Sequence, residues 1–355
     1  MKLFNKKYHK PGTKPGVIDV PENSEFRINL YDYNQAHFEA FDNVEADICR
    51  RYIESETSTW IHVQGDPSTV AIKLLAKSFG IHELYVEDIL NSGQRPKLEI
   101  SDEQVFLIMS LPLKQQGRVH IEQVSVFLVN NTLISFVTGS TNPFTAVIER
   151  LKNSVGKLRK LKPDYLMYAL VDTTIDFGYP LLEIYSEQIQ ALEDELLETK
   201  NDKLLSEIHT LRRELLLTRR SLRPQREMVN ELLRSDDNPL LSEITLVHLR
   251  DCHDHVISIM EMLETFHEMT SSLMELYLTS VSLKLNDVMK FLTIFTTIFI
   301  PPTFIVGLYG MNFNQSAGPL NMPELNWQYG YLVVLGVIAT SILSMLLFFK
   351  RKKWV

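Results

Sequence analysis

Residues 291–309, FLTIFTTIFIPPTFIVGLY, and residues 329–349, YGYLVVLGVIATSILSMLLFF, run for nineteen and twenty-one positions without a formal charge. At about 1.5 Å of rise per residue, each is long enough to cross the roughly 30 Å hydrocarbon layer of a bilayer as a helix. They predict two transmembrane helices, from about 289 to 309 and from about 329 to 349. The intervening residues 310–328 hold one charge, Glu324, whereas Lys350, Arg351, Lys352 and Lys353 follow the second span. Basic flanks stay on the cytoplasmic side, so both chain ends are expected inside the cell (inner) membrane and the short loop outside. Trp327, Tyr329 and Tyr331 stand where an outer aromatic belt belongs, and Trp354 lies near the inner interface.

Upstream, Leu240 to Ile300 holds no Gly or Pro over sixty-one residues, enough for one helix of about 90 Å. That length exceeds any globular core and predicts a stalk. Its apolar positions Val256, Ile259, Leu263, Phe266, Leu273, Tyr277 and Val281 step by three, four or seven, as in a helix packed on other helices. Further along, Asn286, Met289, Thr293, Thr296, Ile300, Thr303 and Gly307 share one face of small, hydroxylated and amide side chains. Such a face avoids lipid, and either packs closely on a neighbour or lines water. Lys284 and Lys290 fall about 100° or more off this face and can reach headgroups instead. Two spans cannot enclose a pore, so the water-lined alternative requires several copies of the chain.

The remainder of the chain reads as α/β followed by helices. Short β-rich runs recur at 27–33, 59–63, 104–113, 119–129 and 132–137, with helices at 67–79 and 82–91 between them, which predicts a mixed or antiparallel sheet. Val129-Asn130-Asn131-Thr132 is a hairpin signal, because Asn tolerates positive φ. Helices follow over 144–160, about 164–199, and about 202–235 with an interruption at Pro224. The fold class is therefore α+β: a cytosolic α/β domain over 1–160, antiparallel helices and stalk over 161–285, a membrane region over 286–349 and a basic tail over 350–355. The first sixteen residues are basic but precede no apolar run, so no signal peptide is expected.

Composition narrows the function. With 355 residues, 45% hydrophobic and 23% charged, the chain is neither disordered nor a disulfide scaffold, and Cys49 and Cys252 stand far apart. Setting aside the four basic tail residues and Glu324 leaves 32 bases against 43 acids, a net charge of -11 beneath the membrane. Nucleic acid is a poor partner for such a body, and cations are a good one. Residues 183–198 carry six carboxylates and no base, a pattern of a solvated helix face that can also concentrate divalent ions.

At Tyr309-Gly310-Met311-Asn312-Phe313 the sequence resembles the CorA family of magnesium and cobalt transporters. The resemblance extends through NDVMKFLTIFTTIFIPPTFIVGLYGMNF, MPELNWQYGY and FFKRKKWV, and upstream to Val86-Glu87-Asp88-Ile89-Leu90-Asn91 and Gln94-Arg95-Pro96-Lys97. It implies a funnel-shaped homopentamer in the lipid bilayer that carries Mg²⁺, with Co²⁺ and Ni²⁺ as similarly hydrated ions, and no organic cofactor. By the same resemblance Gly310, Met311 and Asn312 form the selectivity filter, Asn286 and Thr303 are polar rings, and Met289 and Leu292 form a hydrophobic constriction. Asp88 and Asp251 match an acidic pair that binds regulatory Mg²⁺ between protomers. The chain departs from the pattern at Asn314 to Asn321, eight residues where the family usually has about two, which leaves Glu324 as the loop acid available to attract ions.

Three other readings compete. His248, Cys252 and His255 are spaced by four and three on one helix face, a spacing able to hold Zn²⁺, and the related zinc transporter ZntB makes zinc transport an alternative. A non-transporting membrane scaffold is another, weakened by an outer loop too short to form a ligand domain. An ATP-driven pump lacks its loop, since Gly12-Thr13-Lys14 is out of the required frame, and no catalytic triad is evident, so no enzyme is expected.

Overall fold

A computed structural model describes residues 26–53, 55–65, 69–115, 117–139, 141–198, 203–314, 318 and 320–354. The basic stretch at the chain's start lies outside these. One compact unit runs up to Leu273 and a second from Met274.

The first unit is built on seven strands: β1 (Phe26–Tyr33), β2 (Phe38–Phe41), β3 (Ser58–Gly65), β4 (Lys97–Ile100), β5 (Gln104–Gln115), β6 (Arg118–Val129) and β7 (Thr132–Val137). They form one sheet in the order β2-β1-β3-β7-β6-β5-β4. Only β3 and β7 pair in parallel; the rest are antiparallel, so the sheet is mixed. Asn130 takes a φ of 48° in the tight β6–β7 turn, as its amide side chain permits.

Alternation along the strands sorts side chains to two covered faces. Ile61 and Val63 of β3, Phe127 of β6, and Ile134 and Phe136 of β7 pack with Ile72, Leu75 and Phe79 of helix α2 (Thr69–Phe79) and Val86 and Ile89 of α3 (Glu83–Leu90), beyond the short α1 (Ala46–Cys49). The intervening residues Trp60, His62, Leu133 and Ser135 are equally buried on the other face. There Trp60 Nε1 donates to Ser135 Oγ at 2.9 Å. Because both faces are covered, β7 is buried at all six positions, Thr132 and Ser135 included.

Helices α4 (Thr145–Lys152), α5 (Pro163–Asp176), α6 (Gly178–Glu198) and α7 (Leu204–Leu233) precede the 67-residue α8 (Glu243–Tyr309). Three sequence expectations are corrected. The helix expected over 144–160 stops at Lys152, where Ser154 and Gly156 take φ values of 54° and 76°. The helix expected over 164–199 breaks at Phe177, and the next residue, Gly178, lies so close to α8 that a Cβ would sit 2.8 Å from Ile259 Cδ1. Pro224 does not interrupt α7, which is continuous around it.

The start of α8 is fastened to α5: the buried Asp164 accepts from Ser242 N at 2.8 Å and Ser242 Oγ at 2.6 Å. Val256, Ile259, Leu263, Phe266 and Leu273 bury the expected stripe, but Val281 is exposed. In the second unit α8 continues to Tyr309 and α9 (Gly330–Arg351) follows. The most apolar window of α8 is 0% buried and that of α9 6%, which excludes the core helices of a soluble protein and leaves two candidate membrane spans.

Candidate functional site

The two sides of α8 differ within the second unit. Ile294, Ile298, Pro301, Ile305 and Tyr309 are half-buried and recur at helical spacing. Ile305 and Tyr309 line a cleft of about 250 Å³ with Val333, Val334 and Val337 of α9. Asn286, Met289, Thr293, Thr296, Ile300, Thr303 and Gly307 are all exposed. At about 100° per residue this stripe points about 150° away from the half-buried face. It is not sealed against α9.

The threonines on the stripe have a defined polarity. Thr293, Thr296 and Thr303 donate their hydroxyl protons to the carbonyls of Met289, Leu292 and Phe299 at 2.7, 2.7 and 2.8 Å. Each hydroxyl therefore offers lone pairs, not a proton, to whatever faces the stripe.

α8 ends at Tyr309, with Gly310 N donating to Val306 O at 2.9 Å and Met311 N to Leu308 O at 3.2 Å. Met311 and Asn312 are exposed just beyond this end. Asn321 Nδ2 donates to Asn314 O at 2.8 Å; residues 315–317 and 319 between them lie outside the described residues. The backbone at Glu324 packs onto the start of α9 because Gly330 has no side chain: a Cβ there would meet Glu324 O at 2.1 Å. Glu324 itself is exposed and borders the α8–α9 cleft.

In the first unit, Asp88 near the end of α3 accepts from Gln94 Nε2 at 2.6 Å and faces Lys97 Nζ at 2.7 Å. Gln123 of β6, 5% exposed, holds the segment: its Nε2 donates to Asp88 O at 2.9 Å and its Oε1 accepts from Gln94 N at 3.1 Å. Sequence reasoning missed Gln123, whose signal is an uncharged polar residue inside the apolar run of β6. Asp251 is far more exposed, at 68% of its side chain, with His255 Nε2 3.8 Å away. Within the chain Asp88 and Asp251 share no hydrogen bond or ion pair among the described residues.

The donor grouping on α8 differs from the spacing-based one. His248 stacks on Tyr168 with 5.0 Å between ring centroids. Cys252 is buried and donates to Asp172 Oδ1 at 3.4 Å; burial first, then the Asp172 charge, raises its pKa and keeps it a thiol. His255 Nδ1 lies 3.0 Å from Asp176 Oδ1. Donor atoms within 4.8 Å of one another come instead from Asp172, Asp176 and His255. Among the described residues the converging donors thus include His255 but not His248 or Cys252, whose spacing along α8 suggested a single set.

A family model described as CorA-like Mg²⁺ transporter protein matches residues 55–353. The cobalt/magnesium transport protein CorA of Thermotoga maritima is 38% identical over 350 residues, 98% of each chain. The putative metal ion transporter YfjQ of Bacillus subtilis is 34% identical over 295 residues, 83% of this chain and 89% of its own. Among solved structures, the complete CorA magnesium transporter from Methanocaldococcus jannaschii matches with a TM-score of 0.79 at 22% identity, covering 92% of this chain and 98% of that one.

Proposed function

Because the chain belongs to the CorA family of Mg²⁺ transporters, we propose that copies of it surround a channel-like pathway for Mg²⁺ influx, which also admits Co²⁺ and Ni²⁺. The assembly is a funnel-shaped homopentamer in the cell membrane, with both termini in the cytoplasm and α8 lining the axis. The observation that carries this reading is the small and hydroxylated stripe of α8, exposed on the side away from α9. Large apolar side chains such as Phe291 and Phe304, 70% and 69% exposed, need lipid or another copy over them.

The chemistry suits a hydrated ion. Mg²⁺ dehydrates reluctantly, so it is selected by acceptors that address the hydrogens of its water shell. A ring of Asn312 amide oxygens beside Gly310 and Met311 supplies such acceptors at the outer end, and Thr303 and Thr296 present lone pairs further in. Met289 and Leu292 form the constriction that closes by dewetting. Glu324 draws ions to the mouth. Inward movement of a divalent ion gains about 4.6 kcal/mol per 100 mV, so the membrane potential suffices as the driving force.

Gating follows from Asp88 and Asp251. Where they face each other across a protomer boundary, their carboxylates repel unless a divalent ion bridges them, so falling cytosolic Mg²⁺ loosens the ring and favours opening. Zinc transport is the second reading, with His255 beside Asp172 and Asp176 as the converging donors. The deciding experiment is competition flux in liposomes with Mg²⁺, Co²⁺ and Zn²⁺. Electrogenic Mg²⁺ entry blocked by Co²⁺ is expected; zinc-only flux would install the alternative, and no flux of any ion would leave a scaffold.

A further inference from the structure

The basic groove on α7 is an exception in an acidic molecule. The whole chain carries a net charge of -8, yet α7 holds Arg212, Arg213, Arg219, Arg220, Arg223 and Arg226. Some of these have structural work: Arg219 Nη2 pairs with Glu264 of α8 at 2.5 Å. Arg212 has no ion pair with any described residue, and neither does Arg118 across from it. Both line a groove of about 770 Å³ between the β5–β6 turn and the first half of α7.

The groove has a built floor. Glu214 is 5% exposed beneath it. Burial raises its pKa, offset in part by Lys114, by the Val119 N–H that it accepts from, and by Arg118. Glu214 is the one acid lining the groove, against Arg118 and Arg212, so the lining is net positive even without Arg213. Lys114 Nζ, which also acts on Glu214, is buried without a hydrogen-bond partner among the described residues. His209 adds a ring nitrogen, and Leu216, 45% exposed, adds an apolar wall.

Guanidinium forks pair with phosphate oxygens two at a time, and several converging forks favour a ligand with several phosphates over a monoanion. The volume lies within the range of about 300–1,000 Å³ typical of ligand clefts, with room for more than one phosphate group. Leu216 gives a flat ring system a surface to lie on. We infer that this groove binds a nucleoside polyphosphate, with Arg118 and Arg212 on the phosphates and Leu216 against the base. The inference is independent of the ion pathway, since none of these residues belongs to it.

The test uses full-length protein in detergent at low salt, without divalent ions, titrated calorimetrically with ATP, AMP and tripolyphosphate. ATP and tripolyphosphate bind saturably and weaken as salt is raised, and AMP binds at least tenfold more weakly. Arg118→Gln combined with Arg212→Gln weakens ATP at least tenfold, while Arg223→Gln, an exposed arginine of the same helix, changes it less than twofold. Equal loss in Arg223→Gln, no saturable binding at millimolar ATP, or binding of a soluble polyphosphoinositide headgroup without ATP binding each overturns the inference. If the double variant does not fold, phenylglyoxal labelling of the unmodified protein decides. ATP slows labelling of Arg118 and Arg212 but not Arg223, and uniform rates overturn the assignment.

Discussion

Lys97 Nζ lies 2.7 Å from Asp88 Oδ2 while Gln94 Nε2 donates to Asp88 Oδ1 at 2.6 Å, so a single chain already places a cation and an amide on the two oxygens of this acid. Burial by itself lowers the Lys97 pKa. The hydrogen bond and charge of Asp88, followed by Glu99, more than offset this and raise it. The ammonium therefore stays charged and competes with any divalent ion that would bridge Asp88 to a neighbouring subunit.

Replacing Lys97 by Met removes that competitor without adding charge. The Mg²⁺ concentration giving half-maximal protection from proteolysis is expected to fall up to about fivefold, the equivalent of a released pair worth up to about 1 kcal/mol. Asp88→Asn should abolish the protection. An unmoved midpoint in Lys97→Met would mean that lysine and metal do not share the acid.

Asp251, exposed at 68% of its side chain, has room to meet another subunit. Asp251→Lys puts a fixed cation where the bridging ion is proposed, so Mg²⁺-dependent inhibition of uptake should weaken severalfold while total expression and assembly stay unchanged. Full Mg²⁺ sensitivity in this variant would remove Asp251 from the gate.

Long-range regularity made much of this legible from sequence. The five long strands, the continuous stalk and both spans follow from apolar periodicity and from the missing Gly and Pro between 240 and 300. β2 and β4, with four residues each, are too short to show a period. At the α5–α6 break Gly178 is pressed by Ile259 of another helix, eighty-one positions away, and no local signal reports such an approach. For the same reason the spacing of His248, Cys252 and His255 suggested one ligand set, whereas tertiary partners on α5 make another. The acids Asp88 and Asp251 were visible only through family resemblance, and the Asp88 partners Lys97 and Gln123 only in three dimensions.

Glu122 predicts a pH dependence. Its carboxylate presses on Gly139, where a Cβ would come within 2.3 Å, and Oε2 is buried without a hydrogen bond among the described residues. Burial, only partly opposed by a Gln115 hydrogen bond, pushes its pKa from 4.5 up to about 7. Below pH 4.5 folded and unfolded chains both carry the proton. Between pH 4.5 and about 7 the folded chain retains a proton that the unfolded chain has lost, so stability falls as pH rises. His62, lowered by burial to about 4, acts oppositely, withdrawing stability as pH falls through its own window, but it is common to both proteins compared. Glu122→Gln should melt about 2–4 °C above the parent at pH 8, the equivalent of about 1 kcal/mol once solvent screening is allowed for, and match it near pH 4. Equal melting temperatures at pH 8 would refute the assignment.

The stripe on α8 gives the most direct test of the ion pathway, because hydroxyl and methyl can be exchanged at nearly constant volume. Thr303 already donates its proton to Phe299 O at 2.8 Å, so what it can offer a hydrated ion is an acceptor. Thr303→Ser keeps that acceptor and should retain most Mg²⁺ flux. Thr303→Val removes it from every copy and should slow flux at least about tenfold, since even one lost acceptor contact to a hydrated divalent ion costs on the order of 1.5 kcal/mol. Asn312→Ala removes the outer ring altogether and should abolish entry, with the size of the purified assembly unchanged. Helix packing alone would order these variants differently: valine, which fills the same space, would behave like the parent, and serine, which leaves a void, would be the damaging change. Flux through Thr303→Val equal to the parent, or undiminished entry through Asn312→Ala, would take the ion path away from this face of α8.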